Sequence, residues 1–117
     1  MEIQIKDSPV SLSSLTKLVK DKPYSLVKAV VDIQKKVMAI GGELHSDAEA
    51  VLMEQGSAQG DLWGVNLYPA QFGKEHFIEF DSMINIRPSQ KNMSRGVDDI
   101  VTRSKIKEII ESIVKEK

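Results

Sequence analysis

Two apolar runs in the first half of the chain lie only three residues apart. They are Val27-Lys28-Ala29-Val30-Val31-Asp32-Ile33 and Val37-Met38-Ala39-Ile40, joined by the polar Gln34-Lys35-Lys36. The first is rich in β-branched residues, whose side chains pack well on a pleated surface. So short a polar link predicts a β-hairpin, although it lacks the glycine that favours the tightest turns. A hairpin here commits the chain to antiparallel pairing, and the remaining elements have to be arranged around it.

Residues 2–6 alternate Glu, Ile, Gln, Ile, Lys, the period of a short half-buried strand. Leu12, Leu15, Leu18 and Val19 then recur at helical spacing, with Ser11 or Ser13 placed as cap and Asp21-Lys22-Pro23 as stop. After the hairpin, Gly41-Gly42 suits a tight turn, and Ser46-Asp47-Ala48-Glu49 fits a capping box for a helix carrying Ala48, Val51 and Leu52 and stopping at Gly56. Residues 61–68 read as a strand with Trp63, Val65 and Leu67 on one face. Residues 76–87 read as the last strand. Ile106, Ile109, Ile110, Ile113 and Val114 mark an amphipathic C-terminal helix capped by Asp98, Asp99 or Thr102, with residues 114–117 fraying. The order β-α-β-β-α-β-β-α predicts an α+β fold. It consists of a mostly antiparallel sheet of four to five strands with three helices packed on one face.

The 117 residues suit one domain, residues 1–117. No apolar run approaches the roughly 20 residues of a membrane span. The first residues lack the form of a signal peptide, and cysteine is absent, so a soluble cytoplasmic protein is expected. The missing cysteine also removes thiolate catalysis and cysteine-based zinc sites. A net charge of −1 supplies no global field for nucleic acid, so binding there would need a local basic patch such as Arg87, Lys91, Arg95 and Arg103.

Parity in the last predicted strand puts Ile78, Phe80, Ile84 and Ile86 on one side and Glu79, Asp81, Asn85 and Arg87 on the other. With Lys28, Asp32, Asn66 and Tyr68, the second set forms a polar sheet face. Such a face is either solvated or a shallow groove for a polar ligand or partner. His45 with Asp47 and Glu49 suggests an acid–base or metal cluster, but the capping box employs Ser46 and Glu49 and leaves too few ligands. With only two histidines, a three-histidine metal site within one protomer is impossible, and no metal or cofactor is expected. No Gly-x-Ser-x-Gly or phosphate-loop pattern occurs. Trp63 is the only tryptophan, either a core residue whose indole N–H meets a carbonyl or an interface anchor.

The segment 84–96, INIRPSQKNMSRG, carries the densest polar chemistry. Arg87 and Arg95 suit a bidentate grip on phosphate or carboxylate, with Asn85, Ser89, Asn92 and Ser94 as neutral donors. The competing reading is a surface loop tied down by its own side chains. Residues 28–32, 38–49 (MAIGGELHSDAE), 61–69 (DLWGVNLYP) and 79–94 (EFDSMINIRPSQKNMS) resemble a small bacterial family known as a domain of unknown function. The likeness spans about residues 25–115 and implies no activity, cofactor or catalytic residue.

The leading expectation is a non-enzymatic binding or interaction module, forming a homodimer or meeting another small protein, with an anion- or partner-binding loop at 85–96. The alternative is a small enzyme or enzyme subunit acting on an anionic, phosphorylated small molecule. In it Arg87 and Arg95 would hold the anion and His45 or Asp81 would serve as acid or base.

Overall fold

The predicted hairpin organises the computed structural model, which describes residues 2–20 and 26–116. The elements are β1 (Gln4–Lys6), β2 (Val10–Ser11), α1 (Leu12–Val19), β3 (Val27–Asp32), β4 (Val37–Ile40), α2 (His45–Glu54), β5 (Leu62–Leu67), β6 (Ile78–Glu79), α3 (Ile100–Ile113) and β7 (Val114–Lys115), with short 3-10 turns between them. Strands β3 and β4 pair antiparallel from Ala29↔Ile40 to Asp32↔Val37. Asp32 makes a turn without glycine workable. Its Oδ1 accepts from the amides of Gln34 and Lys35, both at 2.9 Å, and its Oδ2 accepts from Ser57 Oγ at 2.6 Å. Lys36 takes the left-handed conformation, φ 58°, in place of the missing glycine. Asp32 is therefore buried as the lock of the hairpin, not displayed on the polar sheet face as parity suggested.

The five-stranded sheet has the order β1-β4-β3-β5-β6 and is antiparallel throughout, giving the expected α+β fold. A second, parallel pair joins β2 to β7 through Val10↔Val114 and Ser11↔Lys115. Val114 is consequently buried, where fraying had been expected. Ser11 caps α1 by accepting from the Ser14 amide at 3.1 Å, and Asp99 caps α3 by accepting from Thr102 at 3.0 Å. The expected stop of α1 at Asp21-Lys22-Pro23 lies outside the described residues, as does Lys117.

Helices cover both faces of the sheet, not one. Ala29, Val31, Trp63, Val65 and Leu67 pack with Leu15 of α1 and with Ile106, Ile110 and Ile113 of α3. On the opposite face, Val30, Ala39 and Leu62 pack against Ala48 and Leu52 of α2. The physical reason lies in β3, which is apolar at successive positions and must be shielded from water on both sides. Helix α2 shields only one end of its face. The adjoining cross-strand row, Lys28 in register with Asn66 and Asn66 with Glu79, is left polar.

Two local expectations are overturned. No capping box starts α2: the helix begins at His45, with Leu44 as a cap that makes no side-chain hydrogen bond. Ser46 lies inside the helix and not at its cap, and Glu49 turns towards Arg87, at 3.7 Å, so neither end of the predicted box is formed. The last strand is two residues long, not twelve. Past Glu79 the chain leaves the ladder, and the Asn85 side chain replaces it. Asn85 Oδ1 accepts from the Gly64 amide at 2.8 Å, and its Nδ2 donates to the Gly64 carbonyl at 3.0 Å. One carboxamide thus pairs with β5 as a strand residue would, which satisfies an otherwise bare edge.

Gly64 makes this possible by having no side chain. A Cβ there would lie 2.6 Å from both Cβ and Oγ of Ser82 and 3.1 Å from Cδ2 of His45. Replacing Gly64→Ala is expected to destabilise the fold by about 1–3 kcal/mol through overpacking. Urea unfolding measures this, and adding Ser82→Gly to the same chain should recover part of the loss. An unchanged midpoint in Gly64→Ala would contradict the close approach.

Candidate functional site

The polar segment after β6 is bound to itself. Asn85, fully buried, also donates to the Arg95 carbonyl at 2.9 Å, and that carbonyl accepts from the Ser82 amide at 2.9 Å. Asn92, likewise buried, donates to the carbonyls of Asn85 at 2.7 Å, Gly96 at 2.8 Å and Ser94 at 3.2 Å, and accepts from the Asp98 amide at 2.7 Å. Backbone bonds between Arg87 and Asn92, at 2.7 and 3.1 Å, close the loop into an antiparallel bridge. Ser94 Oγ donates to Asp98 Oδ1 at 2.5 Å, and this bond, with that from the Met93 amide, holds the Asp98 carboxyl below its usual range.

The two candidate arginines serve different partners. Arg87 donates to the Leu62 carbonyl and to Gln90 Oε1, faces Glu49 at 3.7 Å, and lies over the Trp63 ring at 4.7 Å. Its pKa is lowered by burial, opposed by Glu49 and Asp61. Arg95 is exposed and binds Asp81 at 2.6 Å. The structure does not direct the two guanidinium groups at one anion. Among the expected donors, Ser89 lies on the surface, in a groove of about 650 Å³ with Glu49, Arg87 and Gln90. Trp63 is a core residue, but its indole N–H meets no acceptor among the described residues, where a carbonyl was expected.

With its amides turned inward, the loop turns apolar side chains outward. Met83, Ile86 and Met93 are 64%, 39% and 68% exposed. Their alignment follows from the backbone. Ile86 lies three residues after Met83 across a 3-10 turn, closed by the Ile86 amide on the Met83 carbonyl at 3.2 Å, so the two side chains share a side. Ile86 and Met93 flank the Arg87–Asn92 bridge and therefore stand opposite each other on the face away from the buried Asn92. Sequence reasoning passed over this stripe because the polar residues around it dominate the composition. The signal was present in the bulky apolar residues interspersed with asparagines that have no reason to be in a core.

The second cluster lies on the uncovered end of the α2 face. His45, the first residue of α2, is buried, and its Nε2 is 2.8 Å from the Val65 carbonyl. A carbonyl only accepts, so Nε2 carries the proton and Nδ1 is the acceptor of the neutral ring. Burial lowers the His45 pKa most, and Lys28 and Arg95 lower it further. The Val65 bond and the Asp81 charge act in the opposite sense. Asn66 donates to Glu79 Oε1 at 2.8 Å and to the Asp81 carbonyl at 3.3 Å, and Tyr68 donates to the same Glu79 oxygen at 3.0 Å. Glu79 and burial together raise the Tyr68 pKa, with burial the larger cause. His45 and Asp81, the two acid–base candidates, are therefore electrostatic neighbours, and Arg95 of the loop is paired with Asp81. His45, Gly64 and Ser82 meet here, one from each of three of the segments that carry the family resemblance.

A further groove, of about 760 Å³, lies between residues 72–80 and α3, with Phe72, Phe77 and Phe80 in its lining and Arg103 over the Phe80 ring at 4.6 Å. Among the described residues, no helix is long and apolar enough to cross a membrane, and no group of three or more His, Cys, Asp or Glu side chains is placed to hold a metal ion. The chain belongs to the family described as "Protein of unknown function (DUF5674)", which matches residues 4–113. No curated protein and no solved structure matches it.

The state of His45 has a consequence for stability. Its folded pKa lies below the ordinary histidine value of 6.5, so between the two values the unfolded chain binds more protons. The His45 contribution is complete above pH 6.5 and is lost as the pH falls towards the folded value. His45→Gln keeps an N–H donor for the Val65 carbonyl and cannot titrate. Denaturation curves between pH 7 and about pH 5 should show a smaller loss of stability in His45→Gln than in the parent chain. Parallel curves would contradict the neutral, buried assignment.

Proposed function

We propose that this protein is an interaction module that docks through the Met83–Ile86–Met93 stripe onto a second copy of itself. The observation that carries the reading is the inversion of the loop, with asparagine amides consumed inside and three large apolar side chains aligned outside. A loop held by so many internal hydrogen bonds loses little conformational entropy on docking, which favours a preorganised surface. Methionine is enriched in interface cores because its flexible, polarisable side chain fits irregular surfaces.

A second copy is favoured by the shape of the patch. Met83 and Ile86 are exposed and also line the 650 Å³ groove together with Arg87, Ser89 and Gln90. A two-fold interface needs projection and recess on the same patch, because each copy must offer what the other accepts. Arg87 and Glu49, which also line that groove, place charges of both signs beside the patch.

Light scattering should return twice the chain mass at micromolar concentration. Met83→Glu with Met93→Glu should weaken association at least tenfold, about 1.4 kcal/mol, without changing the circular dichroism spectrum. A monomer at every accessible concentration, or a dimer indifferent to both substitutions, would overturn the proposal.

A further inference from the structure

We propose that Lys28, His45 and Asn66, with Arg95, Asp81 and Glu79 at the rim, form a binding site for a small polyhydroxylated molecule, a sugar or polyol. This site lies on the sheet face and does not depend on the docking stripe. The argument starts from Asn66, only 5% exposed. Both partners of its Nδ2, Glu79 Oε1 and the Asp81 carbonyl, can only accept, which fixes the orientation of the amide. Its Oδ1 is therefore a buried acceptor, and it has no partner. An orphaned buried acceptor carries an uncompensated desolvation cost, and a ligand that brings a donor to it relieves that cost.

Lys28 stands directly across from Asn66 in the β3–β5 register, on the same face and roughly one strand spacing (~4.8 Å) away. Its ammonium makes no ion pair or hydrogen bond among the described residues. A strong donor thus neighbours an unfilled acceptor. A hydroxyl group meets both needs at once, accepting from Lys28 Nζ while donating to Asn66 Oδ1. His45 Nδ1 offers a second acceptor and Glu79 a third, which suits hydroxyls on adjacent carbons. The charges facing the site argue against selection of a simple ion. Lys28 and Arg95 balance Glu79 and Asp81, and Arg95 is already bound to Asp81 at 2.6 Å. The planar amide, carboxylate and guanidinium groups are held by neighbours, and Gly64 keeps Ser82 and His45 close enough to wall the site.

The test is an amide and side-chain NMR titration of the intact chain with four polyol probes, glycerol, ribose, glucose and inositol. Sulfate serves as a charge-only probe and methylammonium as a cationic one. At least one polyol should give saturable shifts of the Asn66 side-chain amide and of the His45 and Val65 backbone amides, with none from either ion. Lys28→Met and His45→Phe should each weaken that binding at least tenfold while leaving distant signals in place. Four findings would overturn the proposal: no saturable response to any of the polyols, a stronger response to sulfate, a stronger response to methylammonium, or unaltered affinity in both variants.

Discussion

The pairing of the Asn85 carboxamide with the backbone of Gly64 is the constraint on which the second half of the molecule depends. An edge strand leaves N–H and C=O groups bare, and buried groups of that kind have to be satisfied. Here a side chain satisfies them, which frees the main chain of residues 80–96 to depart from the sheet. The same side chain holds the Arg95 carbonyl, so the strand edge and the far end of the loop are fastened at one point. Gly64 is the counterpart of this contact. Any side chain there would displace Ser82, and with it the entry to the turn that positions Asn85.

From that junction the chemistry of the surface follows. Asn92 gathers three carbonyls of the loop and receives the Asp98 amide, so the loop is a small hydrogen-bonded body and not a flexible rim. Networks of this kind are stabilising only when complete, because each missing partner exposes a full desolvation cost. Completing this one uses up the amides a ligand would have needed and leaves Met83, Ile86 and Met93 facing water. The sheet face near His45 has the opposite history. Its polar groups are nearly satisfied, yet Asn66 Oδ1 is left over, and the Lys28 ammonium beside it has no partner among the described residues. The two proposed sites thus differ in kind. One is an apolar stripe on a rigid loop, and the other is an unfinished polar network on a rigid sheet.

Much of the fold was legible in the residues themselves. The runs around Gln34-Lys35-Lys36 form the hairpin, Ser11 and Asp99 cap their helices, and the isoleucines of α3 face the core. Residues 76–87 misled because alternation of polar and apolar side chains is also what a chain produces when asparagine and serine turn inward to bond backbone. The capping box at Ser46 misled for a related reason. Its serine and glutamate match the motif, but Glu49 meets Arg87 from a distant segment and His45 meets Val65, and those partners decide where α2 begins. Position 64 held a usable warning, since glycine inside a strand often marks a close approach of another segment.

The sequence by itself determined the α+β class, the hairpin, the helix faces and the location of the polar chemistry, because periodicity, propensity and capping are local properties of the chain. Only the tertiary structure decided which polar groups face inward. That choice depends on partners 20 or so residues away, such as Gly64 for Asn85 and Val65 for His45. Hydrogen-bond satisfaction is a property of the whole packed molecule, and a carboxamide carries the same composition whether it binds a ligand or replaces a strand.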